Sequence, residues 1–486
     1  MDTIVCKKVD EVYNKLILEP GIGFEISEYF TFDVPGAKFT PAYRNKVWDG
    51  KIRLFNTMSK QVYGGLLPHI EDFCKERGYQ LEYETEQDFT PENFSVVEAE
   101  EFIQSIKLPE KYKPRDYQLD AFVYSIRNRR ALLLSPTASG KSLIIYLLTR
   151  YYNGRTLIIV PTTALVHQLA SDFSDYGIDS STTIRTSSDR VDSTIHNPIT
   201  ITTWQSIYKL PKDYFKDFDV VIGDEAHHFK AKSLTAILTK MINTKYRFGF
   251  TGTLDGTQTH KLVLEGLFGK VRQVTTTAKL IEQQHISNLL IKCVVLKYPD
   301  HIKQQIQRGT YQQEIDFLCQ YTPRNKFITN LALSLKGNTL MLFNYIDKHG
   351  KILYDMVQQK QPDRKIFFVH GGVEGEDRDA IREVVEQEQN AIVVASYGTF
   401  STGINIRNLH SVIFCSPSKS RIRNLQSIGR GLRRSETKTE AVLFDIADNM
   451  QWKKQSNYTL QHFMERVKIY TEEKLQYKIY PVQLKE

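Results

Sequence analysis

The stretch Ala131-Leu132-Leu133-Leu134-Ser135-Pro136-Thr137-Ala138-Ser139-Gly140-Lys141-Ser142 decides how the fold is read. Its apolar start reads as a buried strand, and Ser142 to Tyr152 reads as a helix opening directly behind the loop. A loop with few bulky side chains that ends at a helix N-terminus can cradle phosphate, because free amides and the helix dipole both favour anions. Gly140-Lys141-Ser142 supplies that end, with Thr137 and Ser139 in the loop itself. Lys141 would reach the β- and γ-phosphates of a nucleoside triphosphate, and the Ser142 hydroxyl would ligate Mg²⁺. Ser135 replaces the first glycine of the usual pattern, so the position between strand and helix carries the assignment. A Gly-Lys turn without a ligand is the competing reading.

Downstream, the apolar run Val220-Val221-Ile222-Gly223 ends in Asp224-Glu225-Ala226-His227. This places two adjacent carboxylates at the C-terminal edge of a sheet, where ligands of open α/β folds collect. Asp224 would hold Mg²⁺, and Glu225 would orient and deprotonate an attacking water. The bland alternative is an acidic surface turn. His227 has no Cys or His cluster around it in the sequence and reads as a hydrogen-bonding relay rather than a metal ligand. Further on, Gln426, Arg430 and Arg433 stand at i, i+4 and i+7 on one helical face. Arginines gathered this way repel one another unless an anion comes between them, and a triphosphate is such an anion. A basic helix facing nucleic acid or solvent is the alternative.

Between and beyond these motifs, strand-like and helical stretches alternate. Thr156 to Val160, Ile199 to Thr203, Val220 to Gly223 and Phe248 to Phe250 continue the series that begins at Ala131. It restarts at Leu289 to Leu296 and runs through Thr339 to Phe343, Ile366 to Val369, Ala391 to Ala395, Ser411 to Cys415 and Ala441 to Asp445. Such alternation implies an α/β fold with two tandem parallel-sheet domains. From Gly78 to Glu101 there are eight acidic residues and no Lys or Arg, which reads as a linker, exposed surface or a solvated acidic helix at 97–106. The expected domains are therefore 1–108, 109–280 and 281–450, followed by a tail at 451–486 in which Phe463, Val467 and Tyr470 have helical spacing.

Composition agrees with this division. A chain of 486 residues suggests roughly three domains at about 150 residues each. The five cysteines form no C-x-x-C pair, so reduced, buried thiols are expected rather than a disulfide framework or zinc site. With no basic-apolar-small pattern at the start and no apolar run of about 18 residues, a soluble, cytoplasmic protein without a membrane segment is expected. Net charge is +8, split as 12 Lys+Arg against 19 Asp+Glu in residues 1–108 and 52 against 37 in the rest. The positive excess accompanies the phosphate-binding motifs and suits a polyanionic track.

Taken together, residues 109–450 resemble the superfamily 2 helicases. Arg115-Asp116-Tyr117-Gln118 looks like the adenine-recognising element, with Gln118 as base reader. Pro161-Thr162-Thr163 and Thr202-Thr203-Trp204-Gln205-Ser206 resemble the first-lobe segments that hold a strand backbone, implying contacts from Pro161, Thr162, Thr203 and Gln205. Thr251-Gly252-Thr253 resembles the motif that couples hydrolysis to movement. Phe343-Asn344-Tyr345, His370-Gly371 and Ser396 to Asn405 look like second-lobe elements, with Thr402 near the track and Gly403 near the nucleotide. Asn405 stands where many members carry an acidic residue, and Thr-Gly-Thr replaces the Ser-Ala-Thr of the RNA-unwinding branch, which favours DNA.

The likeness extends from end to end with the phage UvsW-type repair and recombination helicases, through Pro136 to Ser142, Val160 to Leu165 and Asn45 to Leu54. The last of these suggests a small N-terminal α+β domain that contacts DNA. Between Gly36 and Lys60 there are six basic residues and one acid, interleaved with Phe39, Tyr43, Trp48 and Phe55. Arg44, Lys51 and Arg53 can take phosphates and Trp48 can stack on a base or wedge a junction; Trp48 and Phe55 as core residues of a small domain are the equal alternative.

The resemblance implies two RecA-like lobes, a DNA-dependent ATPase using ATP and Mg²⁺, 3′ to 5′ translocation, and unwinding or branch migration of branched DNA. Its partners would be DNA as single strand, branch or duplex, with recombination or replication proteins beside it; a monomer fits. A duplex translocase that separates no strands, an RNA helicase, a phosphate-loop kinase and a strand-annealing protein with a vestigial ATP site are the competitors.

Overall fold

The structure, a computed structural model, describes residues 2–178, 184–185, 198–230, 232–254, 256–307, 309–402, 406, 408–416, 420 and 440–485. It divides into two compact units: Met1–Ser135 with Gly140–Val274, and Pro136–Ser139 with Thr275–Glu486.

The first unit begins with seven short strands: Thr3–Lys8 (β1), Tyr13–Ile17 (β2), Thr31–Asp33 (β3), Lys51–Arg53 (β4), Phe55–Asn56 (β5), Gln61–Tyr63 (β6) and Gln80–Tyr83 (β7). Five of them form a mixed sheet in the order β5-β6-β2-β1-β7, and β3 and β4 make a separate antiparallel pair. The larger sheet of this unit contains Arg130–Leu134 (β8), Thr156–Val160 (β9), Ile184–Arg185 (β10), Ile199–Thr203 (β11), Val220–Gly223 (β12), Tyr246–Thr251 (β13) and Val271–Gln273 (β14). Its order is β10-β11-β9-β12-β13-β8-β14, with every neighbouring pair parallel. The continuous apolar runs read from the sequence are the signature of strands buried on both faces.

Alternate residues of these strands enter two different cores. Ala131, Leu133, Ile158 and Ile222 join the core that contains Ile144, Leu147 and Phe173. Leu132, Leu157, Ile159 and Val221 point the other way, into a core shared with Ile4, Leu16, Ile70 and Phe73 of the N-terminal sheet and helices. One face of the large sheet is thus covered in part by the N-terminal segment. The contact is close enough that a Cβ at Gly65 would run into the carbonyls of Glu265 and Gly266. His69 Nε2 lies 2.8 Å from Glu265 Oε2, and the Glu11 amide donates to the Ile242 carbonyl at 2.9 Å.

The acidic stretch 78–101 is folded rather than a linker. Its first part supplies β7, and its end enters the helix Val96–Ser105, within a residue of the helical alternative. Ser95 and Glu98 close a capping box there, with bonds of 3.1 and 2.6 Å. The acids face solvent while Ala99 is buried and Phe102 stacks on Phe122 at 5.8 Å.

The second unit has one sheet of seven strands: Asn288–Lys297 (β15), Thr339–Phe343 (β16), Ile366–Val369 (β17), Ile392–Ser396 (β18), Ser411–Phe414 (β19), Glu440–Asn449 (β20) and Tyr477–Gln483 (β21). The order is β17-β18-β16-β19-β20-β15-β21, again parallel throughout. The expected helical tail is corrected here: the helix Tyr458–Glu472 buries Phe463 and Tyr470, but the chain then adds β21 beside β15. Pro481 argues against a strand in the sequence. It is tolerated because β21 is the edge of the sheet, where a missing amide donor costs no ladder bond. All five cysteines are free and buried. Among the described residues no helix is long and apolar enough to cross a membrane.

Candidate active site

The sheet order of the first unit explains how distant residues meet. The phosphate loop leaves the end of β8, the carboxylates follow β12, and β13 lies between those two strands and ends at Thr251. The Ser135 amide donates to the Thr251 carbonyl at 2.8 Å, and the Asp224 amide to the Ile159 carbonyl at 3.0 Å. All of this lies at the C-terminal edge of a parallel sheet.

Lys141 opens the helix Lys141–Tyr152, with Gly140 before it at φ +78°. A side chain there would be strained and would also run into the Gln118 amide, which donates to the Gly140 carbonyl at 3.3 Å. Gln118 in turn accepts from the Arg115 amide at 2.9 Å, and Arg115 Nη1 donates to the Tyr117 hydroxyl at 2.7 Å. The proposed base reader is therefore held against the end of the phosphate loop. Within that loop Ser139 is buried, with its hydroxyl donating to the Pro136 carbonyl at 2.7 Å, while Thr137 is half-buried.

Lys141 Nζ stands 3.2 Å from Glu225 Oε1 and 3.9 Å from Asp224 Oδ1. Burial pushes the Asp224 carboxyl up to about 6, against the pull of Lys141. His227 makes contacts on two sides: Nδ1 is 2.9 Å from Thr251 Oγ1, and its carbonyl is 3.0 Å from His260 Nε2. The Thr251 hydroxyl donates to the Thr253 carbonyl at 2.8 Å. Burial pushes the His227 imidazole down to about 4, so it is neutral near pH 7.

Among the described residues no three His, Cys, Asp or Glu side chains gather as a metal site. Mg²⁺ is commonly held by one or two protein oxygens plus waters and substrate phosphates, and the Ser142 hydroxyl and Asp224 carboxylate are hard oxygen donors of that kind. The donor set fits.

The first-lobe segments expected to hold a nucleic-acid backbone also meet. Pro161 and Thr162 follow β9, Thr203 ends the adjacent β11 opposite Val160, and Gln205 is exposed beside them. Thr162 caps the next helix by accepting from the Leu165 amide at 3.4 Å, and Thr203 Oγ1 lies 3.0 Å from Ser206 Oγ. In the N-terminal segment Arg44 and Lys51 are exposed. Arg53 is paired to Asp49 at 2.5 Å, and the half-buried Trp48 donates from Nε1 to the Lys51 carbonyl at 2.8 Å. Phe55 is buried, so the core alternative holds for it, whereas Phe39 and Tyr43 are exposed.

In the second unit Phe343 ends β16, His370 follows β17 and Ser396 ends β18, all at one edge of its sheet. Gly403, Asn405, Gln426, Arg430 and Arg433 lie outside the described residues, as does the side chain of Thr402.

Two further residues of the site escaped the sequence reading. Tyr176 and His260 touch it through contacts distant in the chain, to Ser142 and to His227, and neither stands in a recognisable pattern.

A parallel sheet with a phosphate loop, paired carboxylates and a threonine relay, followed by a second parallel sheet, defines a two-lobed superfamily 2 helicase. Residues 4–84 match the family described as DNA helicase UvsW, N-terminal; residues 111–256 match the type III restriction enzyme res subunit, and 323–435 the helicase conserved C-terminal domain. The chain is 34% identical over 484 residues to the ATP-dependent DNA helicase uvsW of Enterobacteria phage T4, spanning 95% of both chains. The crystal structure of T4 UvsW aligns with a TM-score of 0.53 at 32% identity, covering 99% of this chain and 100% of that one. A DNA 3′-5′ translocase XPB2 of Sulfurisphaera tokodaii is 23% identical over 72% of this chain and 86% of its own length. The chain belongs to the UvsW family of DNA helicases.

Proposed function

We propose that the protein is an ATP-dependent DNA helicase or translocase that works on branched DNA. The observation that carries this reading is Lys141 Nζ beside both Glu225 and Asp224 at one sheet edge, at 3.2 and 3.9 Å. Gln118 reads the base, Lys141 takes the β- and γ-phosphates, and Glu225 orients and deprotonates the attacking water. Ser142 and Asp224 hold Mg²⁺, which supplies charge neutralisation at the phosphate oxygens when bound. His227 passes the state of the site to Thr251, whose strand end lies between the phosphate loop and the carboxylates. The domains 1–108, 109–280 and 281–450 divide the work: the first grips duplex or junction through Arg44, Trp48, Lys51 and Arg53, and the second holds the tracked strand through Pro161, Thr162, Thr203 and Gln205. The third contributes Thr402 to the strand, Gly403 to the nucleotide cleft, and Gln426, Arg430 and Arg433 to the γ-phosphate. Its named relative, the phage T4 ATP-dependent DNA helicase, supports DNA as the substrate.

The test is steady-state ATP hydrolysis by wild type and Glu225→Gln with no nucleic acid, single-stranded DNA, a four-way junction or RNA. Hydrolysis stimulated by DNA and lowered about 10²- to 10⁴-fold in Glu225→Gln is expected; hydrolysis that ignores DNA or prefers RNA overturns the reading. The match of residues 111–256 to a restriction-enzyme subunit favours a second reading, a duplex translocase without strand separation. Stimulated hydrolysis with no displaced strand would select it.

A further inference from the structure

We propose that Tyr176 is a positioning residue for the metal ligand Ser142: its hydroxyl orients the serine hydroxyl so that an oxygen lone pair faces the cation. This rests on the reading of the loop as an ATP and Mg²⁺ site.

The two hydroxyls, Ser142 Oγ and Tyr176 Oη, are 2.8 Å apart. Thirty-four positions separate the two residues in the chain, so tertiary packing alone brings them together. Tyr176 is buried and clamped at several points. Its amide donates to the Asp172 carbonyl at 3.0 Å, closing the helix Thr163–Asp175. Its carbonyl accepts from the Tyr146 hydroxyl at 3.2 Å. Its ring meets Tyr112 edge-on at 4.8 Å and Tyr146 at 5.2 Å. A phenol fixed this firmly at both backbone and ring is a directional hydrogen-bond partner.

A serine hydroxyl that ligates a cation uses oxygen lone pairs, and its proton then needs an acceptor elsewhere. Tyr176 Oη, 2.8 Å away, can be that acceptor. With Ser142 donating to Tyr176, the remaining lone pairs of Ser142 are free to ligate, and the hydroxyl rotor is fixed before the cation arrives. The opposite polarity, with Tyr176 donating to Ser142, would occupy a lone pair and weaken cation binding. The two arrangements predict shifts of opposite sign.

The experiment measures binding of a fluorescent ADP analogue to the full chain over a Mg²⁺ titration, and again in excess EDTA. Wild type, Tyr176→Phe and Tyr146→Phe are compared. The Tyr146 variant deletes the hydroxyl that bonds the Tyr176 carbonyl but leaves both hydroxyls of the Ser142–Tyr176 pair in place. In Tyr176→Phe the Mg²⁺ concentration at half-maximal tightening is expected to rise about fivefold, the worth of one hydrogen bond. Metal-free affinity should hold, the two variants should lose a similar small amount of melting temperature, one buried hydrogen bond each, and Tyr146→Phe should titrate Mg²⁺ like wild type. An unchanged or lowered Mg²⁺ midpoint in Tyr176→Phe overturns the proposal, as does an equal shift in Tyr146→Phe. If wild type binds the analogue with no dependence on Mg²⁺, the ATP-site reading itself fails and the role of Tyr176 falls with it.

Discussion

Asp224 and Asp448 occupy comparable places, each near the C-terminal end of a strand in a seven-stranded parallel sheet, yet their surroundings are opposite. Asp448 accepts from Arg324 Nε at 2.8 Å, from Arg324 Nη2 at 3.1 Å and from the Tyr298 hydroxyl at 2.7 Å. Burial opposes the charge of Arg324, but Asp448 outweighs it and raises the guanidinium's pKa. Asp445, on the same strand, is saturated in the same way by Arg466 at 2.7 Å and the Tyr470 hydroxyl at 2.8 Å. Asp224 Oδ1 accepts the Glu225 amide at 2.9 Å and has Lys141 Nζ at 3.9 Å, and partial burial pushes its carboxyl up to about 6. A carboxylate whose lone pairs are filled by a fixed arginine is scaffolding. One that is half-buried, perturbed and only loosely neutralised is equipped to take a cation.

The sharpest way to break this comparison is to neutralise each aspartate in turn. Asp448→Asn leaves Arg324 as an uncompensated buried charge and should cost about 3–5 kcal/mol, read from the urea midpoint. Asp224→Asn should leave that midpoint unchanged or raise it, because it removes a buried charge. DNA-stimulated hydrolysis should meanwhile fall about 10²- to 10³-fold, the worth of a few kcal/mol of lost phosphate charge stabilisation. Equal destabilisation by the two variants would erase the distinction.

A smaller effect tests the relay. His227 is buried and neutral, so its bond to Thr251 is worth about 1 kcal/mol, or roughly fivefold. His227→Ala should keep most DNA-stimulated hydrolysis while strand displacement per ATP consumed falls by about that factor. A proportional loss of both would place His227 in the chemical step rather than in its transmission.

What the sequence made legible follows from chain distance. Lys141 with Ser142, and Asp224 with Glu225, are neighbours whose roles follow from the strand or helix beside them, and the apolar strands β8, β9, β11 to β13 and β15 to β20 are uniform enough to read. Val271-Arg272-Gln273 is too short and polar to register as β14, and Pro481 hides β21. The acidic stretch misleads because charge marks only its outer face, while Phe94, Ala99 and Phe102 turn inward. The contacts that complete the site are set by packing, Ser142 meeting Tyr176 across 34 positions and His260 meeting His227 across 33, and so is the contact of the N-terminal segment, where His69 meets Glu265 across 196.

The last of these contacts gives the smallest effect and extends the comparison to the N-terminal segment. Glu265 is 1% exposed and lies between the two designs, since its partner is a histidine rather than an arginine. Burial works against its ionisation, but the hydrogen bonds from His69 and from the Val271 amide, at 2.8 Å each, outweigh that and hold its carboxyl below the ordinary 4.5. The unfolded chain therefore binds the proton more tightly than the folded one, and stability rises with pH through this window. The contribution is complete above the ordinary glutamate value and is lost as pH falls through the lowered one. Glu265→Gln keeps an acceptor for Val271 but cannot titrate, so its urea midpoint should lose less than that of wild type between about pH 6 and about pH 4. At about pH 6 it should sit lower by about 1 kcal/mol, the difference between a charge-assisted and a neutral hydrogen bond. A variant whose midpoint tracks wild type across that range would show that the N-terminal segment is held by its apolar core and the Gly65 approach alone.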